Sequence, residues 1–130
     1  MRASVGLGAL LLLAGCAGSG GDEVAAACVG PQLGLAPAAA AVGDDLTVTV
    51  EWLREGCDDT GGADEERPVS DVPVVLVQGG TRVQLGTVSG RGDRYAGSLT
   101  ASVPGEARPG PATVVLEHGG SPAVDLTVLP

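Results

Sequence analysis

Apolar and polar residues alternate along much of this chain, which is the pattern of β-strands that bury one face. The clearest case runs over residues 46–52, where Leu, Val, Val and Trp alternate with Thr, Thr and Glu. This alternation puts the apolar side chains on one face of a strand. It predicts that Trp52, the largest apolar residue of the chain, anchors the core.

Other short β-branched or alternating segments, bounded by Gly and Pro, predict further strands. Residues 73–77 and 82–85 flank Gly79–Gly80, and this spacing predicts a hairpin. Four more segments bring the predicted total to seven strands: 28–35, 95–103, 112–117 and 124–128. Seven short strands separated by Gly/Pro turns in about a hundred residues predict an antiparallel β-sandwich.

The Ala-rich segment 36–42 does not predict a helix. Pro37 and Gly43 bracket it, its apolar residues lack helical spacing, and one or two isolated helical turns are marginal in water. We therefore expect a loop between the first two strands. The expected fold class is all-β.

The amino-terminal segment has the features of an export signal. Arg2 precedes an apolar run that begins at Val5 and ends in Leu-Leu-Ala-Gly-Cys at residues 12–16. The run is too short for a transmembrane helix. Its end resembles the lipobox of bacterial lipoproteins, which implies cleavage before Cys16 and attachment of diacylglycerol to its thiol. The alternative is an ordinary secretory signal that is cut nearby.

The lipobox resemblance divides the chain into three parts. Residues 1–15 are the signal peptide, residues 16–27 are the lipidated Cys and a flexible Gly/Ser-containing linker, and residues 28–130 form one domain. Two acyl chains give stable attachment, so we expect the outer face of the cell membrane as the location. All seven basic residues are Arg, a composition similar to that of actinobacterial proteins.

The formal net charge of the chain is -9, and loss of Arg2 with the signal peptide makes it -10. So acidic a protein repels phosphate backbones, which excludes nucleic acid as an expected partner. The chain has one Trp, one Tyr and no Phe. A core of Val, Leu and Ala in so small a domain buries little apolar surface. We therefore expect a covalent cross-link to add stability.

Two motifs are similar to those of bacterial immunoglobulin-like domains. The first is Gly-Asp-Asp-Leu-Thr-Val-Thr-Val at residues 43–50, which resembles the strand that opens such a sandwich. The second is Val-Pro-Gly-Glu-Ala-Arg-Pro-Gly-Pro-Ala-Thr-Val-Val-Leu at residues 103–116, which resembles the corner before a late strand. The resemblance implies a seven-stranded immunoglobulin-like sandwich, and it implies a fold more than a function.

The cysteines support export. With Cys16 lipidated, Cys28 and Cys57 remain as an even pair in an oxidising compartment. An antiparallel pairing of the first two strands about residues 42–43 would oppose residues whose numbers sum to about 85, which this pair satisfies. We predict a disulfide between them. The alternative is two free buried thiols.

Residues 55–71 contain seven carboxylates and a single Arg. Oxygen ligands on a flexible, Gly-containing loop are suited to Ca²⁺, and the candidate ligands are Asp58, Asp59, Asp64, Glu65 and Glu66. The EF-hand spacing is absent. A solvated acidic loop that only attracts cations weakly is therefore the alternative.

The other chemistry-bearing residues do not form a catalytic group. His118 is the only His, and the chain has no Gly-x-Ser-x-Gly nucleophile elbow. Glu51 and Glu117 are expected to face outward on strands, without an aromatic platform for a sugar. Arg91–Gly92–Asp93 matches the integrin-binding tripeptide, but an expected turn accounts for these residues without a ligand. We expect neither an enzyme nor a cofactor.

These observations favour a non-catalytic, lipid-anchored module that contacts the membrane through Cys16 and binds an unknown protein or envelope partner. A calcium- or cation-binding surface domain that uses residues 58–71 is the second hypothesis. A small hydrolase or sugar-binding module is the third, and the shortage of aromatic residues counts against it.

Overall fold

The structure is a computed structural model that describes residues 29–55 and 67–130. In this part of the chain every regular element is a β-strand, which confirms the predicted all-β class. The strands are β1 (Gln32–Ala36), β2 (Ala39–Ala41), β3 (Asp45–Glu51), β4 (Arg54–Glu55), β5 (Arg67–Pro68), β6 (Val72–Gln78), β7 (Thr81–Val88), β8 (Gly97–Ser102), β9 (Gly110–Leu116) and β10 (Ala123–Leu129).

The strands form two main sheets and a short ribbon. One sheet has the order β1-β3-β8, and the other has the order β2-β10-β9-β6-β7. β4 and β5 form the two-stranded ribbon. Neighbouring strands are antiparallel, except that β2 runs parallel to β10. Among the described residues there is no helix with the length and hydropathy needed to cross a membrane.

Both main sheets contribute side chains to one core of Leu, Val and Ala. β3 shows why the sequence pattern predicts this packing: its residues alternate between exposed and buried, as their polar and apolar character does. The largest fully buried side chains are Leu46, Leu53, Leu116, Leu126, Val48, Val50, Val74, Val103, Val114 and Val128.

The position of Trp52 differs from the predicted core anchor. β3 ends at Glu51, and Trp52 adopts a left-handed backbone conformation with φ 61°. This conformation breaks the alternation of the strand, so that Leu53 enters the core with 0% exposure while Trp52 is only partly buried. A strictly alternating pattern could not reveal this change of phase.

The segment between the first two predicted strands is also different from the expectation. Residues 36–42 were expected to be a loop, but they include β2, whose three Ala residues pair with Thr127, Val128 and Leu129 of β10. Pro37 lies between β1 and β2, where the chain leaves the first sheet for the second. Because a run of Ala shows no alternation, only the partner strand defines this element.

The predicted pairing of the first two long strands is present with a different register. β1 and β3 are antiparallel, but opposed residues such as Leu33 and Val50 have numbers that sum to 83, not 85. The chain between them is not a simple hairpin loop, because β2 leaves for the other sheet. Cys28 and Cys57 lie outside the described residues, so their disulfide stays a prediction.

The predicted hairpin is confirmed as β6 and β7, which are joined at Gly79 and Gly80. Both glycines have positive φ (53° and 84°), as a two-residue hairpin turn requires. A shift of register after Val74 leaves Leu85 as an extra residue on β7. The hairpin forms one side of the five-stranded sheet.

The strand directions define two ends of the sandwich. The first, which we call the β1-start end, holds the beginning of β1 and the segments 52–55, 67–71, 89–96 and 117–122. The second, the β3-start end, holds the segments 42–44, 79–80 and 103–109. Any linker that precedes residue 29 therefore joins the domain at the β1-start end.

Candidate functional site

Both aromatic residues of the chain lie together at the β1-start end. The Trp52 N–H donates to the carbonyl oxygen of Arg94 (2.8 Å), and the Leu53 N–H donates to that of Tyr95 (3.0 Å). These bonds continue the pairing of β3 and β8 beyond the strand ends. They hold the two aromatic residues on neighbouring segments.

Both aromatic residues have unusual backbone conformations. Trp52 has φ 61° and Tyr95 has φ 47°. A bulky residue in the left-handed region costs about 1–2 kcal/mol, and such conformations concentrate at functional sites. Two of the four non-Gly residues with positive φ in the described chain are thus its aromatic residues.

Arginine side chains pack against these rings. The Arg54 guanidinium carbon lies 5.2 Å from the centroid of the Trp52 ring and 5.6 Å from that of the Tyr95 ring. The Arg94 guanidinium carbon lies 5.7 Å from the Trp52 centroid. Cation–π contacts of this kind stabilise by about 0.5–1 kcal/mol where they are exposed. We call Trp52, Arg54, Arg94 and Tyr95 the arginine–aromatic cluster.

Glu51 completes the electrostatics of the cluster. A nitrogen of the Arg94 guanidinium lies 2.6 Å from a carboxylate oxygen of Glu51, and the two side chains are 65% and 39% exposed. Solvent screens such a pair, so it contributes about 0–1 kcal/mol to stability. Its main effect is to orient Arg94 beside the Trp52 ring.

A layer of close backbone contacts supports the cluster. The Val69 N–H donates to the Leu53 carbonyl (3.2 Å), and the Gly90 N–H donates to the Val69 carbonyl (2.9 Å). A Cβ at Gly90 would lie 2.3 Å from the Leu53 oxygen, so only Gly fits there. Backbone contacts therefore hold Leu53, the residue that follows Trp52, in its position.

The tripeptide Arg91–Gly92–Asp93 lies on an exposed turn next to the cluster, as predicted. Arg91 and Ala96 exchange backbone hydrogen bonds of 2.9 Å that close the turn, and Gly92 supplies a positive φ of 72°. Arg94 and Tyr95 belong to the same turn. The tripeptide thus lies next in the chain to two residues of the cluster.

The outward-facing glutamates predicted from the strand pattern lie in two separate ion pairs. Glu117 pairs with Arg82 at 2.6 Å, whereas Glu51 pairs with Arg94. The Arg82–Glu117 pair joins β7 to the end of β9 across β6, over the outer-face residue Val75, which is only 5% exposed. His118 lies in the turn between β9 and β10, at the end of a strand as predicted.

A groove of about 840 Å³ opens at the β3-start end. Leu76, Val83, Ala107 and Pro109 are among its lining residues. The side chain of Gln78 ties the 103–109 segment to β6, because its Nε2 donates to the Arg108 carbonyl (2.7 Å) and its Oε1 accepts from the Arg108 N–H (2.8 Å).

Several residues of the sequence-based hypotheses lie outside the described chain. They are Cys16, Cys28 and Cys57, and the candidate calcium ligands Asp58, Asp59, Asp64, Glu65 and Glu66. The ribbon of β4 and β5 brackets the acidic segment, with Glu55 opposite Arg67. Within residues 29–55 and 67–130, no three His, Cys, Asp or Glu side chains are grouped as a metal site would need.

Sequence reasoning missed the arginine–aromatic cluster, because its members come from two segments some forty residues apart in the chain. One signal was available: in a chain with a single Trp and a single Tyr, each has an Arg within two positions. Comparison of the sequence with protein-family models and with curated proteins gives no match.

Proposed function

We propose that this protein is a non-catalytic, lipid-anchored module on the outer face of the cell membrane, and that it binds a protein or envelope partner through the arginine–aromatic cluster. The observation that carries the binding role is the cluster itself. Trp, Tyr and Arg are the residues most enriched at the energetic centres of protein interfaces. Here both aromatic residues of the chain occur with two Arg at one end of a rigid sandwich.

Support for an immunoglobulin-like fold comes from the strand order. In the naming of that fold, β1, β3 and β8 correspond to strands A, B and E, and β10, β9, β6 and β7 to strands G, F, C and C′. The amino-terminal strand divides between both sheets as β1 and β2. The segments at the β1-start end then correspond to the end whose loops bind antigen in variable domains, which favours the same end for a partner.

Support for the anchor comes from the sequence at residues 12–16 and from the linker that follows. Replacing Cys16 with Ala removes the only thiol at the expected mature start. We expect this variant to stay uncut at precursor size and without lipid. A variant of normal mature size that still requires detergent for extraction would contradict the lipobox interpretation.

The binding role is tested by photo-crosslinking in bacterial cells that make the full chain. A photoreactive residue at Arg91 lies on the exposed turn beside the cluster, and a matched one at Thr127 lies on an exposed position of β10. We expect a discrete adduct from position 91 and none from position 127. The adduct should diminish when Arg94 is also replaced by Ala, and equal labelling from both positions would contradict the proposal.

A second candidate function is calcium or cation binding by the acidic segment at residues 58–71. The observation that favours it is the ribbon of β4 and β5, which pairs Glu55 with Arg67 and so brings together the residues that flank 56–66. The guanidinium carbon of Arg54, a residue of this ribbon, lies 5.2 Å from the centroid of the Trp52 ring. The fluorescence of Trp52 should therefore respond to an ion bound nearby. A saturable response to Ca²⁺, absent with Mg²⁺ at equal ionic strength, would support a specific site.

A further inference from the structure

β8 has one side without a partner strand among the described residues. On its other side it pairs with β3. The Val103 N–H donates to the Asp44 carbonyl (2.9 Å), and bonded residues alternate along an antiparallel strand. The backbone groups of Ser98, Thr100 and Ser102 therefore point away from β3, toward the unpartnered side.

β8 also lacks the features that usually protect such a side. Edge strands are normally protected by charges, by Pro, by a bulge or by shortness. β7 carries Arg82 and a bulge at Leu85, while β1 ends just before Pro37. β8 has six residues, Gly-Ser-Leu-Thr-Ala-Ser, with no charge, no Pro and no irregularity in its pairing.

We propose that β8 pairs antiparallel with β8 of a second copy of this chain, about a two-fold axis at Thr100. In this register Thr100 lies opposite itself and Ser98 lies opposite Ser102 of the second copy. All three outward-pointing residues then form hydrogen-bonded pairs, with six backbone hydrogen bonds in total. A shift of two residues would lose two of these bonds. The two three-stranded sheets become one sheet of six strands.

The side chains of β8 suit this self-pairing. Its burial alternates, with Ser98, Thr100 and Ser102 exposed and Leu99 and Ala101 half-buried. The two-fold axis places hydroxyl side chains opposite each other on the outer face. On the inner face it places Leu99 opposite Ala101 of the second copy, which covers apolar surface that the single chain leaves partly exposed.

Charge explains why a second copy would meet here and in this direction. A net charge of -9 makes two copies repel each other over most surfaces, but β8 carries no charge. Antiparallel pairing brings exposed Arg94, which precedes β8, toward exposed Glu106 of the second copy, which follows it. Parallel pairing would instead bring Glu106 of one copy close to Glu106 of the other.

The expected dimer is weak, because a six-residue strand pair buries far less surface than a standard interface. It is measured by sedimentation velocity of the full chain in detergent, up to hundreds of micromolar protein. Thr100→Lys sets two ammonium groups opposite each other, and we expect it to weaken association by about fivefold. Thr47→Lys, on the same face of β3 but one strand inward, is the control and should leave association unchanged.

Mixing two variants with opposite charges at position 100 distinguishes loss of strand pairing from loss of folding. Thr100→Lys and Thr100→Glu should each associate about fivefold more weakly than the parent chain when alone, and an equimolar mixture should associate at least as well as the parent chain. A parent chain that stays monomeric at every concentration would overturn the proposal. So would a Thr100→Lys variant that associates as the parent does, or a mixture that shows no recovery.

Discussion

Trp52 and Leu53 illustrate how a single backbone conformation decides which side chain enters the core. With φ 61° at Trp52, the following residue takes the buried position that the strand pattern assigns to the Trp. The indole ring is then free to pack against Arg54 and Arg94 at the surface. The core loses its largest possible apolar group, and the arginine–aromatic cluster gains its centre.

The first prediction compares these two neighbours. Leu53→Ala removes a side chain with 0% exposure and should lower the free energy of unfolding by about 2–5 kcal/mol. Trp52→Ala removes a partly buried ring and two cation–π contacts and should cost less, about 1–2 kcal/mol. Urea denaturation followed by circular dichroism measures both. A larger loss for Trp52→Ala would contradict the burial described above.

The second prediction concerns Gly90. A Cβ at this position would meet the Leu53 carbonyl oxygen at 2.3 Å, and a backbone atom cannot swing aside. Gly90→Ala should therefore destabilise the domain by about 1–3 kcal/mol. Gly105→Ala is the matched control, since its Cβ would meet nothing within 4 Å, and it should change stability by less than about 0.5 kcal/mol. Equal thermal stability of the two variants would contradict the packing of this layer.

At the scale of elements, strands marked by residue alternation or by a turn motif could be predicted from the sequence. Strands that are specified only by pairing with another strand could not. The alternation of β3 and the Gly-Gly turn of the β6–β7 hairpin are both local, and both are confirmed. β2 is a run of Ala whose only specification is its pairing with β10. The β1–β3 register was wrong by two because the chain between these strands visits the other sheet.

The candidate site was less predictable than the strands. Its members become neighbours only after β3 and β8 have paired, and this pairing is a property of the whole sheet. The acidic segment, by contrast, was conspicuous in the sequence because its residues are consecutive. Sequence inspection therefore finds clusters of residues that are adjacent in the chain more readily than clusters that form only on folding.

The third prediction tests the contact between β6 and the 103–109 segment. Gln78→Ala removes the side chain that both donates to and accepts from the Arg108 backbone, and it should cost about 1–2 kcal/mol. Amide hydrogen exchange at Arg108 should accelerate in this variant. Gln84→Ala, at an exposed position of β7, should leave that exchange rate unchanged. Unaltered exchange in Gln78→Ala would show that the segment is held by other contacts.

At the scale of the whole molecule, the aliphatic core is small, so the predicted disulfide should contribute a large share of the free energy of unfolding. The core contains Leu, Val and Ala without an aromatic ring. A disulfide between Cys28 and Cys57 would close a loop of about thirty residues and stabilise by roughly 3–4 kcal/mol. This amount is comparable with the entire free energy of unfolding of many small domains.

The fourth prediction is that this disulfide forms and that the domain depends on it. Mass spectrometry of the non-reduced mature protein should find the peptides of Cys28 and Cys57 joined. Addition of reductant should lower the melting temperature by well over ten degrees. This expectation follows because each kcal/mol of stability shifts the melting temperature of a domain of this length by several degrees. Two free thiols in oxidised protein, or an unchanged melting temperature, would rule the link out.

The division of the amino-terminal strand between both sheets has a mechanical consequence. β1 is bonded to β3 in one sheet, and β2 is bonded in parallel to β10 in the other. A pull on the chain ahead of β1, directed along the strands, loads each of these ladders in shear, so that its hydrogen bonds must rupture together instead of opening one by one. A domain held to a surface by this end would therefore pass drag first to the β1–β3 ladder, in the direction that loads its hydrogen bonds together.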